Sequence, residues 1–370
     1  MNNRKHITLK CIFSAKNNWQ EYAKMRELDK YVTQQVESMM KCGDYPEDVR
    51  YFVCPKCGTT EKRAYRCKTR ICTHCGKQYA DEWALQMERD LFNVTHRHMI
   101  FTIPSLIWPY LKEHPFLWKV MLDSVYQVLK DMMIYKDWIE VIPGVICIFH
   151  PFSKDLKFNP HVHVLVTEGG LRKDNYDEWI HVTYFPYEKL RKKWQYFFLK
   201  NLRKATKNTL THWTIEEPNF KKYKNGFYVR AKDRIWDSKK LNNYIVRYVR
   251  HPAIAESRII AYENDKVTFY YERMDDSEKN KQRIEVTLPV MEFIDRIVNL
   301  IPPKGFKMIR HYGLYSRNRK SKMKEIMNNL KLYSKRKEKK INSMLKRLWE
   351  KICPKCGAIM IIEEQKYSYG

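Results

Sequence analysis

Apolar residues recur at three- and four-residue spacings between positions 13 and 41, where Trp19, Tyr22, Met25 and Leu28 predict one face of a helix. The same period returns over 77–93 through Tyr79, Trp83, Leu85, Met87 and Leu91, and again over 106–134, 186–205 and 238–250. Apolar runs predict strands at His98-Met-Ile-Phe-Thr-Ile-Pro104, Gly144-Val-Ile-Cys-Ile-Phe-His150 and His161-Val-His-Val-Leu-Val-Thr167, with further strands at 266–273 and 283–288. The ten-residue connection 151–160 is short enough to fold the second and third runs into an antiparallel hairpin. This order predicts an α+β fold on an antiparallel sheet. Residues 42–78 carry too few apolar side chains for a core of their own, so something else must hold that stretch together.

Composition supplies a partner class. The chain has 370 residues and 44% hydrophobic content, enough for two or three domains and a sizeable core. Its 70 Lys and Arg against 42 Asp and Glu leave a net charge of +28, and the pI is near 9.6. A surface that basic repels itself unless a polyanion offsets it, which points to nucleic acid or an anionic membrane. No apolar run approaches the roughly 18 residues of a membrane span, and no export signal follows Met1, so a cytoplasmic protein on the nucleoid is expected. Between Lys304 and Lys351 there are 17 Lys and Arg against 3 Glu, half of the chain's excess. Tyr312, Tyr315, Tyr333 and Trp349 are interspersed there, and aromatic faces among cations suit stacking on unpaired bases. A solvated helical face is the competing reading of that segment.

Ten cysteines in a long chain without an export signal favour metal binding over disulfides. Cys54-Pro-Lys-Cys57-Gly and Cys72-Thr-His-Cys75-Gly are two Cys-x-x-Cys pairs separated by 14 residues. Facing one another they predict one closed tetrahedral zinc site of structural type. Cys42 and Cys67 are then left over. Either they are buried small residues, or they join Cys353 and Cys356 in a second zinc site that clips the C-terminus to this module.

Two further pairs carry candidate chemistry. His161 and His163 are two apart on a predicted strand, so both imidazoles share one face and can grip one ion. His150 ends the preceding strand and can approach His161 across the hairpin. Three imidazoles, a water and a phosphate oxygen make a workable Mg or Mn site, although an ordinary strand-end histidine fits position 150 equally well. Tyr244 and Tyr248 are one helical turn apart. Leu241, Ile245 and Val249 share the adjoining face, so the tyrosines read either as an extension of a core stripe or as nucleophiles for a phosphodiester, with Arg247, Arg250 and His251 supplying positive charge.

The ordered set of motifs resembles a known family. After the cysteine-rich segment come His98–Pro104, His150-Pro-Phe and Pro160-His-Val-His163 with Leu-Val-Thr-Glu-Gly-Gly170-Leu. Tyr244-Ile-Val-Arg-Tyr248-Val-Arg-His-Pro252, Ser257-Arg-Ile259 and Gly305-Phe-Lys-Met-Ile-Arg310-His-Tyr-Gly313 follow. This order, from about residue 13 to 360, resembles the two-tyrosine HUH transposases of rolling-circle insertion sequences, with their N-terminal zinc-binding domain. The resemblance implies an HUH-endonuclease fold, with a central antiparallel sheet flanked by helices. It implies cleavage of single-stranded DNA through a 5′-phosphotyrosine, with Tyr244 and Tyr248 as nucleophiles and His161 and His163 as ligands of the catalytic Mg or Mn. His150 takes the place of a third ligand, with Glu168 and His98 as fallbacks. Asn159 departs from the family, whose members often carry histidine there.

The expected organisation is a helical segment over 1–41, a zinc-binding module over 42–78, a catalytic domain over 79–300 and a basic DNA-binding region over 301–370. Arg247, Arg250, Lys304, Lys307, Arg310, Arg317, Arg319 and Lys320 are the candidate DNA-contacting cations. The expected partners are single-stranded DNA and hairpins at transposon ends, target DNA, and host replication or helicase factors, since no phosphate-binding Gly-x-x-x-x-Gly-Lys loop is present. A plasmid or phage replication initiator with the same chemistry is one alternative. A non-catalytic zinc-ribbon regulator is another.

Overall fold

The computed structural model describes residues 7–43, 49–64, 66–134, 138–207, 221–235, 254–274 and 281–362. In chain order the first elements are α1 (Leu9–Ser14), α2 (Asn18–Lys24), α3 (Lys30–Met40), β1 (Val49–Val53), β2 (Thr60–Ala64) and α4 (Thr73–Asp90). There follow β3 (His96–Thr102), α5 (Trp108–Glu113), α6 (Trp118–Met132), β4 (Val141–Phe152), β5 (Phe158–Arg172), β6 (Trp179–Ile180), α7 (Tyr187–Ala205) and β7 (Val229–Ile235). The last strands are β8 (Ile259–Glu263), β9 (Lys266–Met274), β10 (Lys281–Pro289), β11 (Ile309–Gly313), β12 (Lys351–Ile352) and β13 (Ile359–Ile362). Helices at Val290–Val298, Lys320–Asn329 and Lys335–Trp349 complete the set. The chain falls into two compact units, one of residues 1–89, 250–301 and 336–370, the other of 90–249 and 302–335.

The second unit is built on a six-stranded antiparallel sheet of order β11-β4-β5-β3-β7, with β6 paired to β5. Strand alternation explains its two faces. Val162, Val164 and Val166 of β5, Val145, Cys147 and Phe149 of β4, and Met99 and Phe101 of β3 all point into one core. Helices α6 and α7 cover that face with Trp118, Leu122, Val125 and Leu129, and with Trp194, Phe198 and Leu202. The indole N–H of Trp194 donates to the Thr102 carbonyl at 2.7 Å, so even the largest core ring has its polar atom satisfied. Because the period is two, His98, His150, His161 and His163 must lie on the opposite face. The hairpin expected from the 151–160 connection is present, with β4 and β5 antiparallel and His150 paired to His161.

The helix expected over 106–134 breaks at His114–Pro115, where a proline begins a new turn and cannot donate to the old one. The helix expected over 13–41 is three helices. Lys16 and Asn17 take left-handed φ values of 48° and 59° between α1 and α2, and Asp29 caps α3 by accepting from the Tyr31 N–H. Trp19 and Tyr22 are buried as their spacing predicts, but Met25 sits past the end of α2 and is exposed.

His96 lies inside the second unit, 1% exposed, with Nε2 2.7 Å from the Tyr315 hydroxyl. Burial lowers its pKa from 6.5 to about 4. As pH falls below 6.5 the unfolded chain takes up this proton before the folded one does. The stability that His96 contributes above 6.5 is therefore lost on acidification, by about 2 kcal/mol at pH 5. The thermal midpoint should drop more between pH 8 and pH 5 in the wild type than in His96→Gln, which keeps a polar partner for Tyr315 without a titrating ring.

In the first unit, β8, β9 and β10 form an antiparallel sheet. Phe293 of the helix Val290–Val298 packs against Phe269 of β9. Tyr22 donates to Asp295 and Asn18 to the Tyr262 hydroxyl, which ties α2 to this layer. The other sheet of the unit has the order β12-β13-β1-β2, so strands from the two ends of the chain are hydrogen-bonded neighbours.

A candidate metal centre and two cysteine clusters

Antiparallel register assembles the histidines. His150 of β4 pairs directly with His161 of β5, and His163 lies one same-face position further along, opposite Ile148 on one side and Ile100 on the other. The ring centroids of His150 lie 5.3 Å from those of both His161 and His163, and the latter two are 4.9 Å apart. One ring nitrogen from each of the three falls within 4.8 Å of the others. His161 Nδ1 donates to the Asn159 carbonyl at 2.7 Å, which leaves Nε2 with its lone pair. That lone pair faces His163 Nε2 at 3.1 Å. Two nitrogens each about 2.1 Å from one cation and at right angles to each other would be separated by about 3 Å, so the spacing matches a shared ion. Burial lowers the pKa of His161, which favours the neutral form that can ligate.

The two fallback residues lie outside the three-histidine group. His98 is buried, and its Nε2 sits 3.1 Å from Nδ1 of His163, on the side away from His161. If His163 donates its Nδ1 proton to His98, its Nε2 is left free to ligate. His98 thus lies behind His163 and is not one of the three rings whose nitrogens converge. Its signal in the sequence is the alternation of β3, which places it on the histidine face. Glu168 is 2% exposed and receives two hydrogen bonds from Arg97, at 2.8 and 2.6 Å, so its carboxylate is drawn into a buried ion pair. Arg97 carried no earlier expectation, because a lone arginine in a strand has no readable partner until the register is known. Asn159, the departure from the resembled family, serves the cluster through its backbone carbonyl, so its side chain is not what orients His161.

Tyr244, Arg247, Tyr248 and Arg250 lie outside the described residues. Of the other candidate cations, Lys304, Lys307, Arg317 and Arg319 are exposed. Arg310 is partly buried in edge strand β11 opposite Cys147, and Lys320 forms an ion pair with Asp90 at 2.6 Å. Tyr312, Tyr315 and Tyr333 of this segment are not exposed stacking platforms. Tyr312 donates to Asp123 at 2.8 Å and stacks on Tyr126, while Tyr315 and Tyr333 are buried against Phe92. Tyr315 and Tyr333 are buried and Tyr312 is partly buried, while exposed cations around them are available to a polyanion.

The cysteines group differently from the expected pairing. Cys54 and Cys57 do not meet Cys72 and Cys75. The structure brings Cys42 and Cys67 to Cys72 and Cys75, and brings Cys54 and Cys57 to Cys353 and Cys356, with the ligand atoms of each set within 4.8 Å of one another. Local structure explains the exchange. Cys54–Cys57 is a tight turn between β1 and β2, whereas Cys72–Cys75 is the start of α4, where the Cys75 N–H approaches Cys72 Sγ at 3.5 Å. Gly76 consequently continues a helix rather than a turn. A helix N-terminus favours thiolates by its dipole, which suits Cys72 and Cys75 to a cation shared with Cys42 and Cys67. In that cluster Cys75 Sγ lies 3.6 Å from Cys42 Sγ and 3.7 Å from Cys67 Sγ. His74 is exposed.

A family model described as "Transposase zinc-binding domain" matches residues 14–103, and one described as "Putative transposase" matches residues 144–322. The chain is similar to the "Transposase for insertion sequence element IS801" of Pseudomonas savastanoi pv. phaseolicola. That similarity is 27% identity over 334 residues, covering 82% of this chain and 75% of the relative. It is 24% identical over 286 residues to "Putative transposase y4qJ" of Sinorhizobium fredii (strain NBRC 101917 / NGR234), covering 73% of this chain and 71% of that protein. No solved structure matches. Among the described residues, no helix is long and apolar enough to cross a membrane.

Proposed function

The chain belongs to the IS91-type transposases, and from that premise we propose that it cuts and rejoins single-stranded DNA at the ends of its element through a tyrosine. The observation that carries this reading is the convergence of His150, His161 and His163 on the face of the sheet opposite the α6 and α7 core. A divalent ion bound there would polarise a phosphoryl oxygen and orient the scissile bond. The remaining work falls to the chain's own residues. Asn159 and His98 hold the ligand rings in the required tautomers. The resemblance assigns Tyr244 and Tyr248 as nucleophiles. A tyrosine oxygen, losing its proton, attacks phosphorus; it bonds to the 5′-phosphate of the downstream fragment, the P–O3′ bond breaks, and the 3′ oxygen takes up a proton and leaves as a hydroxyl. One phosphodiester replaces another, so rejoining needs no nucleotide hydrolysis. With two tyrosines, one can hold element DNA while the other opens a second site.

In this reading the central sheet and its flanking helices are an HUH-type nuclease, the cysteine-rich segment recognises hairpins or subterminal sequence, and the exposed cations hold flanking strand and target DNA. Strand opening is left to host replication or helicase factors. The protein would work on the nucleoid.

Three neutral nitrogens suit Mn2+ better than Mg2+, which prefers oxygen ligands. Half-maximal cleavage of labelled single-stranded oligonucleotides from the element's ends should therefore need roughly tenfold less Mn2+ than Mg2+. Equal requirements would count against imidazole ligation. A replication initiator would show the same adduct but cut a single origin instead of two element ends. A non-catalytic regulator would bind these oligonucleotides and leave them intact.

A further inference from the structure

The pentapeptide Cys-Pro-Lys-Cys-Gly occurs twice, at 54–58 and at 353–357, nearly 300 residues apart. The two copies fold alike. In the first, the Gly58 N–H donates to the Cys54 carbonyl at 2.9 Å and the Cys54 N–H to Thr59 at 2.9 Å. In the second, Gly357 donates to Cys353 at 3.0 Å and Cys353 to Ala358 at 2.8 Å. Gly58 and Gly357 take φ values of 68° and 70°, a left-handed conformation that a side chain would strain. Each turn joins a short antiparallel hairpin, β1–β2 and β12–β13, and β1 pairs antiparallel with β13 through Phe52–Ile362 and Val53–Ile361. A Lys351–Glu61 ion pair links the two hairpins again.

This ribbon lacks the means to hold itself together. Its buried core is Phe52, Cys54, Cys353 and Met360, while Ile352, Ile359, Ile361 and Ile362 are exposed. Strands of two to five residues with so little apolar burial need a cross-link. The sulfurs supply the means for one. Cys54 Sγ lies 3.4 Å from Cys356 Sγ, and Cys57 Sγ 3.6 Å from Cys353 Sγ. A disulfide would bring sulfurs to about 2.05 Å. Four thiolates at about 2.3 Å from a tetrahedral zinc stand roughly 3.8 Å apart, close to what is seen.

We propose that Cys54, Cys57, Cys353 and Cys356 bind a second structural zinc ion that fastens the last strands of the chain to the N-terminal module. The matched zinc-binding domain ends at residue 103 and holds only half of these ligands. The ribbon therefore exists only in a chain synthesised beyond Cys356, and a chain ending earlier keeps the Cys42–Cys67–Cys72–Cys75 site alone. This inference does not depend on the strand-cleavage reading, because its readouts are metal and thiols.

Elemental analysis of the purified full chain should give two zinc per chain, and one for Cys353→Ser with Cys356→Ser. Native alkylation of the wild type, read by mass spectrometry, covers the case in which the variant fails to fold. Cys54, Cys57, Cys353 and Cys356 should be protected together and become labelled together when a chelator strips the metal. Two zinc retained by the double variant would overturn the proposal. So would one zinc in the wild type with Cys353 and Cys356 freely alkylated, or a Cys54–Cys356 disulfide in the native protein.

Discussion

Replacing His161 and His163 together by alanine lowers metal-dependent cleavage of element-end DNA by roughly 1,000-fold. The estimate follows from the several kcal/mol that a bound ion contributes to phosphoryl-charge stabilisation, at 1.36 kcal/mol per tenfold in rate. The two Nε2 atoms approach to 3.1 Å, and losing both rings leaves one imidazole of the three, too few to hold a divalent ion. Folding is not the vulnerable quantity, because Val162, Val164 and Val166 on the other face carry the core packing of β5. The zinc content and thermal midpoint of the double variant should stay near those of the wild type. His98→Ala provides the contrast. It removes the partner of His163 Nδ1 but no ligand, and should weaken apparent metal affinity ten- to a hundredfold while added Mn2+ restores most of the rate. A His161→Ala, His163→Ala protein that still cleaves at the wild-type rate would remove the metal centre from the mechanism.

Substituting Tyr244 and Tyr248 together by phenylalanine abolishes the covalent protein–DNA adduct and lowers cleavage by on the order of 10,000-fold or more, the scale of losing a nucleophile from a covalent mechanism. The double variant should still bind the oligonucleotide, since the cations proposed to hold the strand are untouched. Each single variant should retain a first cut or a rejoining step but not the coupled exchange that needs both phenols. If the pair merely extended a core stripe, phenylalanine would be tolerated at both positions and cleavage would persist. The two readings of the helical pattern thus separate on one experiment.

Much of this was legible in the sequence because the relevant periods are local. Alternation along 161–167 placed both histidines on one face, and the short 151–160 connection brought His150 to them. The roles of His98 and Glu168 were not legible, because they depend on the register between β3 and β5, a non-local fact. His98 lies opposite Leu165, diagonal to His163, and Arg97 opposite Val166, close enough to reach Glu168. The cysteines teach a similar lesson. Cys-x-x-Cys spacing announced thiolate sites but not their partners, since Cys54–Cys57 closes a turn and Cys72–Cys75 opens a helix. The copy that matches 54–58 in full, Gly included, stands at 353–357. The tyrosines of the basic segment misled for a third reason. Composition cannot tell an exposed ring from one that a sheet edge has folded inward, as β11 does with Tyr312.

The most direct test digests the covalent adduct formed with an end-derived oligonucleotide and maps the nucleotide-bearing peptide by mass spectrometry. The account predicts a 5′-phosphate ester on Tyr244 or Tyr248, formed only when Mn2+ or Mg2+ is present and lost in the His161→Ala, His163→Ala protein. A nucleotide on any other residue, or cleavage that proceeds with no adduct at all, would contradict it.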